Sequence, residues 1–254
     1  TANIDVTATG FQLNRLNNLD NVDVPIGGTV TVDALIQGSL LDPQPAGRMA
    51  VSGAQYGEFE LPDSRVQFET VDDDILLKGN LVGEGLKFDG ALSRSPDRAF
   101  RVGVRLEDFP LHSVYPTGAD GTDVSALLSG RLQLDGRLGE QPSLDLVGEG
   151  RTLEVIWDRH RLHTLAPWEF ELSGKAMRLS GFRIQGAGTD MEWDVQTDSS
   201  GGLSGSGGGV VDADLARMFV DGLQRADGGV AVHLGVGGTL SRPHWTIDVG
   251  TCGV

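Results

Sequence analysis

Residues 229–249 read GVAVHLGVGGTLSRPHWTIDV, and this stretch decides the fold of the chain. Apolar residues alternate with polar or small ones, first from Val230 to Val236 and then from Trp245 to Val249. A period of two is typical of a β-strand with one apolar and one polar face. The glycines and Pro243 between the two runs indicate a turn. The stretch therefore predicts a β-hairpin whose two strands share one apolar face.

The same alternation recurs along the chain, for example in residues 30–34, 132–135 and 168–172. Turn signals made of glycine and proline separate these runs, as expected for a sheet of many short strands. Two segments read as helices instead. Residues 212–222 offer an aspartate N-cap, apolar residues at helical spacing and a terminal glycine, and residues 108–115 carry a weaker version with Pro110 near the first turn. The pattern predicts an all-β chain with one or two short helices.

A repeat is the most informative feature of the sequence. Gly38, Gly136 and Gly238 each follow an alternating strand, precede a leucine two residues on and stand a few residues before a proline. Shared register across strand, turn and helix predicts a repeat of about 100 residues. We expect residues 1–24 to end a preceding repeat or form a leading strand. Residues 25–120 and 121–225 then form two repeats, and residues 226–254 begin a truncated third.

Composition limits the function classes. Hydrophobic residues make up 39% of the 254, enough for a real core, while the formal net charge of −16 argues against nucleic acid and against electrostatic docking on an anionic membrane. Cys252 is the single cysteine, so no disulfide within the chain is expected. No apolar run approaches 18 residues, and the chain begins within a strand-like pattern at Thr1. We therefore expect a piece of a longer protein.

Three elements carry a resemblance to a known family. They are the phrase at 229–248 with a weaker copy at 130–146, the strand followed by an Asp-Leu helix at 210–219, and the strand-glycine-strand run at 172–186. Over residues 27–250 the chain resembles the AsmA-like and TamB family, bacterial relatives of the bridge-like lipid-transfer proteins. The resemblance implies an elongated, curled antiparallel sheet, a β-taco or solenoid-like trough with an apolar floor.

The same resemblance implies the function, the partners and the location. The family's proteins are anchored in the inner membrane, cross the periplasm and move phospholipid or aid outer-membrane biogenesis. An outer-membrane barrel assembly partner follows only by analogy, because the membrane helix and any partner-docking terminus lie outside this sequence. The family carries no catalytic motif, so we expect neither enzymatic activity nor a cofactor.

The apolar strand edges are the candidate site, since aliphatic and aromatic side chains strip water from acyl chains. Its alternative is the dry core of an ordinary sandwich or solenoid. The residues predicted to line a lipid groove are Val30, Val32, Ile36, Leu132, Leu134, Leu144, Leu146, Trp168, Phe170, Leu172, Val230, Val232, Leu234, Val236, Trp245 and Ile247. The helix at 212–221 presents Leu215, Met218 and Phe219, which either cap the groove or cover a sheet end.

Two other functions stay open at this point. A structural or adhesive β-solenoid would close the apolar face as a core, and a β-helical carbohydrate-active enzyme would need carboxylates clustered in a cleft.

Three smaller motifs indicate structural roles rather than binding sites. Asp72–Asp74 indicates a charged turn rather than a calcium site, and His160 and His163 would face opposite sides of a strand, which disfavours zinc. Gly205–Gly209 lacks the lysine of a phosphate loop and indicates a glycine-softened strand or a loose connection.

Overall fold

The chain is an all-β protein, as the alternation predicts. The structure, a computed structural model, describes residues 2–13, 26–39, 41–56, 59–111, 124–138, 143–157, 160–174, 176–216, 228–239 and 242–251. Seventeen strands of one antiparallel sheet account for nearly all of them. Within the described ranges, no helix is long and apolar enough to span a membrane.

The strands run in chain order, and a single helical turn interrupts them. The bounds are β1 Ala2–Gln12, β2 Ile26–Ser39, β3 Asp42–Tyr56, β4 Phe59–Leu61, β5 Ser64–Val71, β6 Asp74–Leu81, β7 Leu86–Ser93, β8 Ala99–Pro110, β9 Val124–Arg137, β10 Ser143–Trp157, β11 His160–Thr164, β12 Trp168–Ser173, β13 Ala176–Gly186, β14 Thr189–Thr197, β15 Gly202–Asp212, α1 Ala213–Ala216, β16 Gly229–Thr239 and β17 Arg242–Thr251.

Most strands pair with their neighbours in sequence. The pairing is antiparallel from β1 to β8 and from β9 to β17, except that short β4 and β11 each lie beside a longer strand. Thus β3 pairs with both β4 and β5, and β10 pairs with both β11 and β12. Short connections of this kind keep strand partners close in sequence, so the strand order follows the chain order.

Packing divides the chain into two compact units. The first unit comprises Thr1–Pro116 and Gln133–Ser143, and the second comprises Thr117–Leu132 and Leu144–Val254. Strand β9 contributes its end to the first unit and its beginning to the second. The repeat boundaries at 25, 121 and 226 rest on sequence register and stay a prediction.

The repeated glycine occupies the same position in two hairpins. Gly38 lies opposite Pro43 in the β2–β3 hairpin, and Gly238 lies opposite Pro243 in the β16–β17 hairpin. Both glycines have a positive φ, 102° and 93°, a region that residues with a Cβ rarely adopt. A Cβ at Gly38 would lie 2.3 Å from the Asp42 carbonyl oxygen, and one at Gly238 would lie 2.6 Å from that of Arg242. The sequence signature is therefore a hairpin signature.

The two helix predictions have different outcomes. Helix α1 begins at Ala213 as expected, with the Asp212 Oδ1 accepting a 2.9 Å hydrogen bond from the Asp214 backbone N–H, and Met218 and Phe219 lie outside the described residues. The helix predicted from Asp108 is wrong over residues 108–110, which belong to β8. Phe109 is only 3% exposed there and packs over Gly85, so burial of one ring outweighs a local capping pattern.

Two minor motifs have the structural roles expected for them, a charged turn and a glycine-rich strand. Asp72 and Asp73 form the two-residue turn between β5 and β6, with Asp72 at a positive φ of 54°. Residues 205–209 lie within β15 and pair with β14 and β16 on either side. The glycine-rich run is therefore a strand, not a loose connection.

Glycines in this sheet make room for aromatic rings on the neighbouring strand. Gly207 is the direct cross-strand partner of Trp193, and a Cβ on it would lie 2.2 Å from the Trp193 Cδ1. Gly150 is the partner of Trp168, and a Cβ there would lie 2.0 Å from the Trp168 Cε2. Each indole therefore lies directly over the backbone of the next strand.

Replacing Gly207 by alanine should destabilise the second unit. The added methyl would force the Trp193 ring out of its position, a change that costs about 1–3 kcal/mol in a packed site. The matched control is Gly208→Ala, on the opposite face of β15, where the nearest atom to a new Cβ lies at 3.5 Å. Urea denaturation followed by tryptophan fluorescence measures both. Equal shifts for the two variants would contradict this account of the glycines.

Candidate functional site

One face of the first unit is apolar from strand to strand. Cross-strand register aligns its side chains in transverse rows, because residues opposite each other in a ladder point to the same side. One row runs Ala8, Val32, Met49, Val66, Gly79, Phe88 and Val104. The next row runs Val6, Ala34, Gly47, Phe68, Leu77, Gly90 and Val102.

The second unit carries an equivalent face. One row runs Gly148, Phe170, Leu179, Val195, Gly205, Val236 and Trp245. Another runs Phe182, Trp193, Gly207, Leu234 and Ile247. The Phe182 ring contacts two tryptophans, with its centroid 5.3 Å from that of Trp168 in an edge-on arrangement and 5.6 Å from that of Trp193. We call these two surfaces the apolar faces of the two units.

Most side chains of the apolar faces are only half buried. Among the described residues, eleven hydrophobic side chains are buried, and none of the large ones is below 2% exposed. Seven of the eleven form one cluster around α1, in which Met191 and Leu215 are each 2% exposed. Elsewhere the faces stay open, with Ile4 45% exposed in the first unit and Ile247 51% in the second. Among the described residues the deepest burial on these faces is in the cluster around α1, and Leu106 and Leu203, at 8% and 9% exposed, are buried away from it.

The predicted groove residues that the structure describes lie on these faces. Val30, Val32 and Ile36 belong to the face of the first unit, as does Leu134 by the alternation of β9. The rest belong to the second unit. Leu132 lies over Gly148, because a Cβ built on that glycine would be 2.6 Å from the Leu132 Cδ2. Leu146 lies opposite Leu172. The remaining members are Leu144, Trp168, Phe170, Val230, Val232, Leu234, Val236, Trp245 and Ile247.

The sequence prediction missed the middle of the first unit. Phe68, Leu77, Phe88, Val102 and Val104 lie on strands β5 to β8 and belong to the same two rows. Several row positions on these strands are glycines, such as Gly79 and Gly90, and this weakens the alternation. The pattern Val66-Gln67-Phe68 still alternates, so a search for runs of three would have found it.

Helix α1 packs against the apolar face of the second unit. Ala213 and Leu215 are each 2% exposed and belong to the buried cluster that also holds Val230 and Val232. Both roles predicted for this helix, a cap on the groove and a cover over a sheet end, stay predictions. Any role for Met218 and Phe219 concerns residues outside the described ranges.

The opposite face of the first unit is charged. Its central row runs Thr7, Asp33, Arg48, Gln67, Lys78, Asp89 and Gly103. The Arg48 guanidinium donates hydrogen bonds of 2.9 and 3.1 Å to the Asp33 Oδ2. A groove of about 1070 Å³ crosses this charged face between Asp5 and Gln133. Most residues that line this groove belong to the charged face, and Phe68 and Leu77 of the apolar rows also line it.

Carboxylates on the polar faces are held by local hydrogen bonds. The Arg101 Nε donates a 2.6 Å hydrogen bond to Asp135, which keeps the pKa of that carboxyl below its ordinary value. A bidentate pair of 2.6 and 2.7 Å from Arg183 lowers the pKa of Asp190 in the same way. These groups are exposed ion pairs, which contribute little to stability.

One cluster could hold a divalent metal ion. A nitrogen of His160 and carboxylate oxygens of Asp212 and Asp214 all lie within 4.8 Å of one another, each half buried. One imidazole and two carboxylates are a ligand set that zinc and similar ions accept. Asp212 already caps α1 through its Oδ1. The sequence pattern paired His160 with His163 instead, because His160 is more than 50 residues from the two aspartates and meets them only through the fold.

The chain was compared with protein-family models, curated proteins and solved structures. No protein-family model, no curated protein and no solved structure matches the chain.

Truncating a buried and an exposed apolar residue should give very different losses of stability. Leu215→Ala removes a 2% exposed side chain from the cluster under α1 and should cost about 2–5 kcal/mol. Ile247→Ala acts on the open face and should change the free energy of unfolding by about 0.5 kcal/mol. Urea denaturation followed by tryptophan fluorescence compares the two. A loss at Ile247 as large as that at Leu215 would mean that the face is closed.

Proposed function

We propose that this chain is a non-enzymatic segment of a lipid conduit, which holds acyl chains on its apolar faces. The observation that carries the proposal is the continuity of half-exposed apolar rows across the strands of each unit. Soluble monomers rarely expose contiguous apolar patches above a few hundred Å², and larger ones mark binding surfaces.

Acyl chains suit this surface energetically. Each methylene that leaves water for an apolar surface contributes about 0.8 kcal/mol. This attraction has no direction, so a chain that moves along the surface exchanges one set of contacts for an equal set. The backbone polar groups beneath are satisfied by the sheet ladder and do not hold the chain in place. The face therefore supports binding that is strong in sum and without fixed positions, as a conduit requires.

The surface shape of the apolar faces also favours binding of lipid over packing of a second protein layer. Indoles and phenyl rings lie over glycines of the next strand, as at Gly150 and Gly207, and fill the depressions that an interdigitating layer would enter. A closed solenoid core would bury these side chains. Instead, in the part of the chain that the structure describes, burial of the face centres on α1.

The setting of the function follows from the family resemblance. As a member of an AsmA-like or TamB-like protein, the chain would form part of a periplasmic bridge that conducts phospholipid between the inner and outer membranes. Its inner-membrane anchor would lie outside this sequence, and its outer-membrane partner would be a barrel assembly component. These elements belong to the proposal together with the acyl-chain site.

Site-specific photocrosslinking tests which face meets lipid. Benzoylphenylalanine replaces Phe170 in the second unit and Phe88 in the first, and each variant is illuminated with vesicles of phosphatidylethanolamine and phosphatidylglycerol. We expect lipid adducts at both positions, read by mass spectrometry of the tryptic peptides, because both side chains belong to the apolar rows.

The neighbouring residues supply matched controls. Glu171 and Asp89 follow the two phenylalanines directly and point to the opposite face of the same strands. The same probe placed there should give few or no lipid adducts. Equal adducts on both faces, or none at Phe170 and Phe88, would contradict the proposal.

A further inference from the structure

Four cationic side chains gather on the charged face of the first unit. Arg65, Lys78, Lys87 and Arg105 lie on the consecutive strands β5, β6, β7 and β8. The chain as a whole carries 36 acidic and 20 basic residues, with lysine only at positions 78, 87 and 175. Two of the three lysines therefore belong to this one cluster. We call these four residues the basic cluster.

Cross-strand register brings the cluster together. Arg65 lies opposite Asn80, Asn80 opposite Lys87, and Lys87 opposite Arg105, so one transverse row crosses four strands. Lys78 is displaced from this row by two residues along β6. The row spans three strand spacings, roughly 14 Å, which two long arginine side chains can close from either end. A shallow depression of about 430 Å³ lies over these strands and is lined by all four cations.

Among the described residues, Glu107 is the carboxylate that forms an ion pair with this cluster. Lys87 Nζ donates a 2.9 Å hydrogen bond to the Glu107 Oε2, and this contact lowers the pKa of the Glu107 carboxyl with a smaller contribution from Arg105. Arg65, Lys78 and Arg105 form no hydrogen bond or ion pair through their side chains with the residues that the structure describes. Asp89 is the one carboxylate that lines the depression.

The cluster places like charges on neighbouring strands, which is unfavourable in a β-sheet. Like charges directly opposite each other destabilise a strand pair, and Lys87 and Arg105 are such a pair. A chain so rich in carboxylates could place an acid at either position. The Lys87–Glu107 ion pair offsets part of this repulsion, and a bound anion would offset the rest. Arginine forks together with lysine ammonium groups are the donors that recognise phosphate oxygens.

We propose that Arg65, Lys78, Lys87 and Arg105 bind a phosphate group, carried either by an anionic lipid headgroup or by a free phosphate ion. The site consists of four cations on the charged face, none of which belongs to the acyl-chain rows, and Phe88 of those rows lines the same depression. The site therefore does not depend on the conduit function, and either can fail without the other.

The test uses the whole chain and two double variants of equal charge change. Arg65→Gln with Arg105→Gln removes both ends of the row. Arg151→Gln with Arg161→Gln is the control, because these arginines lie in the second unit beside Glu149 and Glu154. Isothermal titration with inorganic phosphate measures the free ion. Cosedimentation with vesicles of phosphatidylcholine, alone or mixed with phosphatidic acid, measures the headgroup.

The unaltered chain should bind one of the two probes: either inorganic phosphate, or the vesicles that contain phosphatidic acid but not those of phosphatidylcholine alone. The first result assigns a free phosphate, the second a lipid headgroup. The Arg65/Arg105 variant should lose about tenfold in affinity or more, since hydrogen bonds to charged groups are at stake, and the control variant should bind as the unaltered chain does. No binding to either probe, or equal losses of affinity in both variants, would overturn the proposal. Lipid photoadducts at Phe170 should be the same in both variants.

Discussion

Side-chain alternation across an antiparallel ladder is the constraint on which the structure depends. Because neighbouring residues of a strand point to opposite sides, one register decides which side chains share a face over many strands. Here the register of β5, β6 and β7 places Phe68, Leu77 and Gly90 on one side and Gln67, Lys78 and Asp89 on the other. A shift of one residue in any strand would mix the faces, so the apolar surface and the basic cluster have the same origin.

Glycine has two separate tasks in this sheet. At Gly38 and Gly238 a positive φ lets a long strand end opposite a proline and turn back. At Gly150 and Gly207 the backbone is ordinary, and what matters is the missing Cβ, since an indole lies in its place. The high glycine content therefore reflects turns and ring packing together.

Where alternation is strong, the face of a strand could be predicted from the sequence, because alternation is a local property. The apolar residues of β5 to β8 were missed, since glycines hold several of the row positions there. Residues such as Val232 and Phe170 lie on the apolar faces as their pattern indicates. The helix predicted at 108–110 was wrong because Phe109 is buried by Gly85, a contact that no local pattern reveals. The basic cluster was hidden for a related reason: its members spread over forty residues, and a net charge of −16 averages them away. Only the pairing of the four strands brings these cations together.

Native mass spectrometry of the chain, purified from cells without detergent, tests the central claim most directly. If the apolar faces are open and hold acyl chains, the spectrum should contain protein with intact lipid bound, and collisional activation should release that lipid without unfolding the protein. Protein mass alone, before and after incubation with phospholipid vesicles, would contradict the account and would mean that the apolar faces serve as a packing surface.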